Sequence, residues 1–308
     1  MSIRFDNRVA IVTGAGQGLG RAHALGLAAR GAKVVVNDLG GARDGTGASL
    51  SAAEAVVEEI RKAGGEAIAN GANVADESQV NDMVQSALKQ WGRIDILVNN
   101  AGILRDKTFQ KMAIADFRLV VEVHLIGTAI CTKAVWGPMR EQNYGRIVMT
   151  SSASGIFGNF GQSNYGAAKM GCIGLMNVLH LEGARNNIRV NTLAPTALTR
   201  MTEDLGMPPE TANLLTPESV TAGLLYLVSE GAPSRVILGA GAGGFARTII
   251  TETDGIYLPP ERQTPEEVAA SFAAISDTTN EVMLASASGQ TDKFLRKAAE
   301  ALQAKSTS

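Results

Sequence analysis

Residues 8–20, "RVAIVTGAGQGLG", decide how this chain folds. "RVAIVTG" is a short apolar run rich in β-branched residues and ending in glycine, which reads as a buried strand. "LGRAHALGLAARG" then carries helical spacing as far as Gly31. Between them Gly14, Gly18 and Gly20 stand at a strand-to-helix turn. Glycine permits the tight turn and lets backbone N–H groups approach a pyrophosphate, and the helix that follows presents its positive end to that charge. Many glycine-rich turns bind nothing. Here a strand precedes the turn and a helix follows it, at the start of a βαβ unit, which points to a dinucleotide.

The chain continues in the same alternation. "KVVVND" is a second strand, and it ends at Asn37 and Asp38. An acid at that place accepts hydrogen bonds from both hydroxyls of an adenosine ribose and repels a 2′-phosphate, so Asp38 favours NAD over NADP. The plainer alternative is a solvated turn aspartate. "SAAEAVVEEIRKAGG" is an amphipathic helix, "EAIANGANV" a strand, "SQVNDMVQSALKQWG" a helix and "IDILVNNAG" a fourth strand. A long helix is expected over 115–141. "GRIVMTSS", "IRVNTLAP" and "RVILGAGAGG" read as the remaining core strands, with a helix after the first of them. Strand and helix in turn predict an α/β fold: a doubly wound parallel sheet with helices on both faces. A second glycine cluster, 239–244, is followed by "FARTIITETDGIYL", which alternates like strands and does not open a helix. It reads as the exit of the last core strand, not as a second nucleotide site.

No repeat or low-complexity linker divides the chain. One domain is expected over 1–257, with an extension over 258–308 packing on it. "TPEEVAASFAAI" announces the extension's first helix, with Thr264 as N-cap, Pro265 at the first helical position and two glutamates in the first turn. "TDKFLRKAAEALQAK" forms the second.

The 308 residues are 45% hydrophobic and 19% charged, with a formal net charge of -2, so the chain can bury a sizeable core. There is no basic excess for nucleic acid and no polybasic segment for a membrane surface. No run of eighteen apolar residues is present to span a bilayer. Cys131 and Cys172 are the only cysteines, and reduced thiols are the default. A strand begins within the first ten residues, leaving no room for a signal peptide, and "AKSTS" at the end lacks a peroxisomal address. A cytoplasmic location is expected. His23 and His180 have no partners at metal-ligand spacing, so no metal is expected.

The chemistry is carried by "SSASGIFGNFGQSNYGAAKMG", residues 151–171. Tyr165 and Lys169, four apart, share one face of a helix. Removing a hydride from a secondary alcohol needs a base for the hydroxyl proton. A free tyrosine titrates near ~10, and a neighbouring ammonium lowers that value. Lys169 supplies the ammonium and can hold ribose hydroxyls. Ser152, at the end of the fifth strand, can hydrogen-bond the reacting oxygen. Ser151 is expected on the other side of the strand.

Together, "TGAGQGLG", "NNAG" (99–102) and Ser152, Tyr165 and Lys169 at their spacings resemble the short-chain dehydrogenases/reductases, over residues 8–245. The resemblance implies a Rossmann-like sheet and reversible hydride transfer between a nicotinamide and an alcohol or ketone. It implies catalytic roles for Ser152, Tyr165 and Lys169. It also implies cofactor contacts from Gly14, Gln17, Gly18, Leu19, Gly20, Asp38, Asn73, Val74, Asn100, Ala101, Gly102, Tyr165, Lys169, Pro195 and Thr199. "VVVNDLGG", the glycine-rich insertion after it, 144–169 and "GAGAGGFAR" are similar to one branch, the dehydrogenase units of multifunctional enzymes type 2. That branch oxidises (3R)-3-hydroxyacyl-CoA with NAD. This implies a fatty or sterol-derived acyl-CoA substrate, and a hydratase is expected on a separate protein. Three positions depart from the family: His124 where asparagine is common, Asn73 for the usual aspartate, and Thr196 for glycine after Pro195. In the family the backbone carbonyl at the His124 position holds a water to the lysine.

Phe157, Phe160, Met201, Leu205 and Met207 suit an apolar substrate pocket under a lid. Arg43 and Asp44 are expected in a mobile loop. The family implies a homodimer, or a tetramer, through the helices at 115–141 and 165–186. Other readings are a 17β-hydroxysteroid dehydrogenase, an NADPH-dependent ketoreductase, which Asp38 opposes, and a non-catalytic NAD sensor or scaffold, for which Ser152, Tyr165 and Lys169 would be needless.

Overall fold

The computed structural model describes residues 2–198 and 208–306. Residues 1–248 form one compact unit and 249–308 a second. In the first, the elements follow the expected alternation: β1 (Val9–Thr13), α1 (Gly18–Ala28), β2 (Lys33–Asn37), α2 (Ser51–Lys62), β3 (Glu66–Asn70), α3 (Glu77–Trp91) and β4 (Ile96–Asn99). After them come α4 (Ile114–Val121), α5 (Gly127–Gln142), β5 (Gly145–Thr150), α6 (Ala153–Ile156), α7 (Ser163–Gly183), β6 (Ile188–Thr196), α8 (Pro209–Ala212), α9 (Pro217–Leu227), β7 (Ile237–Gly241) and β8 (Gly244–Thr248).

The sheet order is β3-β2-β1-β4-β5-β6-β7-β8. All neighbours are parallel except β7 and β8. The chain runs outward from β1 to β3 and returns to β4 on the other side of β1. The order therefore reverses between β1 and β4, where open α/β sheets bind ligands beyond the carboxyl ends of their strands. Alternate residues feed two cores. Val12, Val34, Val36, Val98 and Val148 pack with α1, α2 and α9 residues such as Leu27, Ile60 and Leu224. Ile11, Val35, Leu97, Ile147 and Met149 pack with α3, α5 and α7 residues such as Met83, Val135 and Met176. Burial on both faces explains why these strands read as continuous apolar runs.

The long helix is interrupted. A π turn, Glu122–Ile126, joins α4 to α5 and contains His124. Extra-residue turns of this kind inside helices concentrate at functional sites. The 239–244 glycine cluster is a hairpin turn: Ala242 and Gly243 both have positive φ, 50° and 77°, and Gly241 pairs with Gly244. Two positive φ values in a two-residue loop match the twist of the flanking strands.

In the second unit, Thr264 accepts from the Glu267 N–H (3.2 Å) and caps α10 (Pro265–Ala270). α11 (Phe272–Ile275) and α12 (Ala287–Ser306) follow. Lys293 and Lys297 of α12 pair with Glu252 and Asp254 of the same unit. Among the described residues, no helix is long and apolar enough to cross a membrane.

Candidate active site

The loops leaving β1, β2, β3 and β4 enclose a cavity of about 290 Å³. Gly14, Gln17, Gly18, Leu19, Asp38, Asn73, Val74, Asn100, Ala101 and Gly102 all line it. The glycine turn is fastened to the exit of β4. The Asn100 amide donates to the carbonyls of Thr13 (3.1 Å) and Gly14 (3.0 Å), while the Thr13 hydroxyl accepts from the N–H groups of Asn100 and Ala101. Gly14 has a φ of +61°. Gly20 serves packing: a Cβ there would lie 2.1 Å from the Gly14 carbonyl oxygen. The Asp38 carboxylate accepts from the N–H groups of Gly16 (2.8 Å) and Gly40 (2.7 Å), one to each oxygen. It is thus aimed and still has acceptor capacity on both oxygens. The Asn73 side-chain oxygen accepts from the Ala75 N–H (3.0 Å). These groups fit a dinucleotide: small residues where a phosphate must come close, and a fixed carboxylate for a ribose diol.

Ser152, Tyr165 and Lys169 meet beside this cavity without lining it. Ser152 follows β5 and caps α6, accepting from the Ser154 N–H (3.1 Å). Ser151 is buried and donates to the Lys169 carbonyl (3.0 Å). Tyr165 and Lys169 both belong to α7, with the ammonium 5.4 Å from the tyrosine ring centroid. The ammonium donates to the Thr150 carbonyl (2.7 Å). Burial lowers Lys169 to about 8 and raises Tyr165 to about 12, against a smaller lowering by the hydrogen bond with Ser152. The expectation that Lys169 would depress Tyr165 is therefore not met by the protein alone. Taking the phenolate out of water dominates, and a buried lysine that gives up its proton before the tyrosine does brings no charge to the phenolate.

His124 packs against Tyr165, and its Nε2 lies 2.8 Å from the Ile103 carbonyl and 3.1 Å from the Ile103 N–H. Gly102 has a second reason to be glycine, since a Cβ there would lie 2.2 Å from the imidazole Cε1. The His124 carbonyl accepts from the Thr128 hydroxyl (2.7 Å) and from the Cys172 thiol (3.5 Å), so it faces α7.

Phe157 and Phe160, expected in an apolar pocket, are 76% and 89% exposed and do not line the cavity. Gly158 and Gly161 of this loop have φ of 84° and 83°. Thr199, Met201, Leu205 and Met207 lie outside the described residues. Pro195 is the penultimate residue of β6, paired with Ala240, and does not line the cavity. The turn with Arg43 and Asp44 is tied down: the Leu104 N–H donates to the Arg43 carbonyl (3.0 Å) and Arg105 to the Asp44 carbonyl (2.9 Å).

Several neighbours of the site carried no sequence signal. Gln162 donates to Asp106 (2.7 Å) and accepts from the Ser154 hydroxyl (2.7 Å). Asn164, fully buried, donates to the Arg105 carbonyl (3.0 Å). Leu119 and Val123 complete the cavity wall. Their partners are distant in sequence, so spacing could not reveal them. Among the described residues no group of three or more metal-ligating side chains occurs.

The sequence pattern of the short chain dehydrogenase family matches residues 8–208. A short-chain type dehydrogenase/reductase of Mycobacterium tuberculosis is 50% identical, over 88% of this chain and 95% of its own. Peroxisomal multifunctional enzyme type 2 of Drosophila melanogaster is 47% identical over 97% of this chain, which spans 50% of that protein's length. The solved structure of the Drosophila enzyme superposes with a TM-score of 0.81, covering 97% of this chain and 51% of that one at 39% identity. A 7α-hydroxysteroid dehydrogenase solved with NADH and 7-oxo glycochenodeoxycholic acid has a TM-score of 0.71 at 30% identity, over 78% of this chain and 95% of that one. The chain belongs to the short-chain dehydrogenase family and is an oxidoreductase of that family.

Proposed function

We propose that this protein uses NAD to move a hydride between the cofactor and a secondary alcohol or ketone, with (3R)-3-hydroxyacyl-CoA as the substrate class. The observation that carries the reading is the pairing of Asp38, held by two backbone N–H groups at the cavity, with Ser152, Tyr165 and Lys169 gathered next to it. A bound nicotinamide supplies the hydride acceptor and a positive charge that favours phenolate. The protein's own residues do the rest. The Gly14–Gly20 turn receives the pyrophosphate, and Asp38 takes the adenosine ribose. Lys169 holds the other ribose, and Ser152 donates to the substrate oxygen. Tyr165 accepts the hydroxyl proton as the hydride leaves carbon, and returns it in the reverse direction. The acyl-CoA reading rests on the branch resemblance and on the likeness to peroxisomal multifunctional enzyme type 2.

A hydroxysteroid is the second reading, favoured by the likeness to the hydroxysteroid dehydrogenase bound to a bile acid. Initial rates with NAD and with NADP, on (3R)- and (3S)-3-hydroxyacyl-CoA and on hydroxysteroids, test both. NADH formation on the (3R) acyl-CoA alone supports the first; turnover of the steroids alone replaces it with the second.

Two further proposals accompany this reading. The chain forms a homodimer through α5 and α7, where Ile130, Trp136, Leu175 and Leu179 line a shallow cavity of about 480 Å³ and Val178 and Leu181 are exposed. Sedimentation equilibrium checks this, with Val178→Glu expected to give monomer. A cytoplasmic location is supported by two free, buried thiols, the state a reducing compartment maintains. Fractionation of the source cells tests it.

A further inference from the structure

The wall of the cofactor cavity is assembled from segments far apart in the chain. One side is the turn after β2, with Ala42, Arg43 and Gly45; another is Ile103, after β4; a third is α4 and the π turn, with Leu119 and Val123. Arg105 touches two of these and follows closely on the other. Its Nε donates to the Asp44 carbonyl (2.9 Å), and its Nη1 donates to Asp116 (2.6 Å), which lies three residues before Leu119 on α4. The backbone adds the bond from the Leu104 N–H to the Arg43 carbonyl (3.0 Å). The turn itself is compact. The Ala42 N–H donates to the Thr46 carbonyl (2.7 Å), and Asp44 accepts from both the Thr46 N–H and the Thr46 hydroxyl. Gly45 sits at φ 89°, where a side chain would be strained, and a Cβ there would lie 3.3 Å from Ile103. The guanidinium and the Asp116 carboxylate are 29% and 27% exposed, so their pairing is partly shielded from solvent.

We propose that Arg105 is a positioning residue for the dinucleotide, clasping the 42–46 turn to α4 and so holding the adenosine side of the cavity in shape. This rests on the dinucleotide reading of the cavity and adds a residue to it. Arginine suits the task because its planar fork serves a carbonyl and a carboxylate at once, each from a different N–H; a lysine ammonium offers no such fixed geometry. Arg105 need not touch the ligand. If the wall is correctly placed only part of the time, apparent affinity falls by that fraction, while the chemistry of a bound complex is unaltered.

The test is calorimetric titration of the full chain with ADP-ribose, which is NAD without its nicotinamide, and with NAD. Wild type, Arg105→Ala, Arg105→Lys and Asp116→Asn are compared, each checked for folding by its melting temperature. Arg105→Ala is expected to weaken both ligands by the same factor, about tenfold, and to raise the NAD KM alike while kcat at saturating NAD holds. Arg105→Lys and Asp116→Asn should fall between it and wild type. A merely structural role would instead lower the melting temperature and the active fraction without moving affinity. Wild-type affinity for ADP-ribose in folded Arg105→Ala overturns the proposal alone. If that variant does not fold, wild-type affinity in Asp116→Asn does so. Failure of the wild-type chain to bind either ligand overturns the cofactor reading, and this proposal with it.

Discussion

The His124 imidazole stands edge-on to the Tyr165 ring, with centroids 5.1 Å apart and planes at 88°. The contact makes the histidine a wall for the tyrosine and not a rival base. Burial, and then the neighbouring Lys169, hold its pKa well below the usual 6.5, so it is neutral at working pH. Its Nε2 is committed to the Ile103 backbone. A relay through this position would run from the backbone carbonyl, which faces α7. His124→Asn gives up the Nε2 contacts with the Ile103 backbone, which the shorter amide does not reach. It keeps the backbone carbonyl and should lose less than roughly 10²-fold, below the share a general base supplies. Its pH–rate profile should match wild type. A loss as large as that of Tyr165→Phe, in folded protein that still binds NAD, would make the imidazole the base.

Lys169 imposes a stability penalty. Its folded pKa is lowered to about 8 from 10.5 by burial, so the unfolded chain binds the proton more tightly. Below pH 8 the penalty is fully present, on the order of 3 kcal/mol. As pH rises from 8 to 10.5 the folded lysine is already neutral while the unfolded one still loses its proton, and the penalty disappears. Lys169→Met should therefore be inactive yet more stable at pH 7, by about 2 kcal/mol once the lost bond to the Thr150 carbonyl is subtracted. Denaturant melts should show the gap between the two proteins closing above pH 8. A gap independent of pH would contradict this.

His23 works in the opposite pH range. It is buried between α1 and α9, with Nδ1 2.9 Å from the Thr221 hydroxyl, and burial lowers it to about 3. The unfolded chain gains a proton below pH 6.5 that the folded chain refuses, so stability falls with acid by up to about 1.4 kcal/mol per pH unit. His23→Gln should flatten that part of the stability profile between pH 6 and 4. An unchanged slope would assign the acid sensitivity elsewhere.

Much of the fold was legible because burial on both faces leaves a plain signature. "VAIVT", "KVVVN" and "ILVN" are apolar runs too short for helices and bounded by turns. Tyr165 and Lys169 were legible because both the helix and the chemistry act at one spacing. The π turn was not, since "EVHLI" carries the same apolar periodicity as an ordinary helix turn. The hairpin turn at Ala242 was hidden by an alanine held at positive φ. Phe157 and Phe160 stand exposed outside the cofactor cavity, a placement that aromatic type alone does not report. The Arg105 clasp joins residues 61 apart, a distance no local pattern reports.

Cofactor choice tests Asp38. The carboxylate is fixed by Gly16 and Gly40, so it cannot swing away from an added phosphate. Wild type should prefer NAD by at least about tenfold in kcat/KM, roughly 1.4 kcal/mol. Asp38→Ala should weaken NAD and narrow the preference. Equal use of NADP by the wild-type protein would remove this role for Asp38.

Tyr165→Phe bears most directly on the chemistry. The change deletes the phenol oxygen and keeps the ring that packs on His124, so fold and NAD affinity should persist. Formation of reduced nicotinamide from (3R)-3-hydroxyacyl-CoA should fall by roughly 10²–10⁴, the usual share of acid–base catalysis. Near-wild-type turnover in this variant, with NAD bound as tightly as before, would contradict the assignment of Tyr165 as the group that takes the proton.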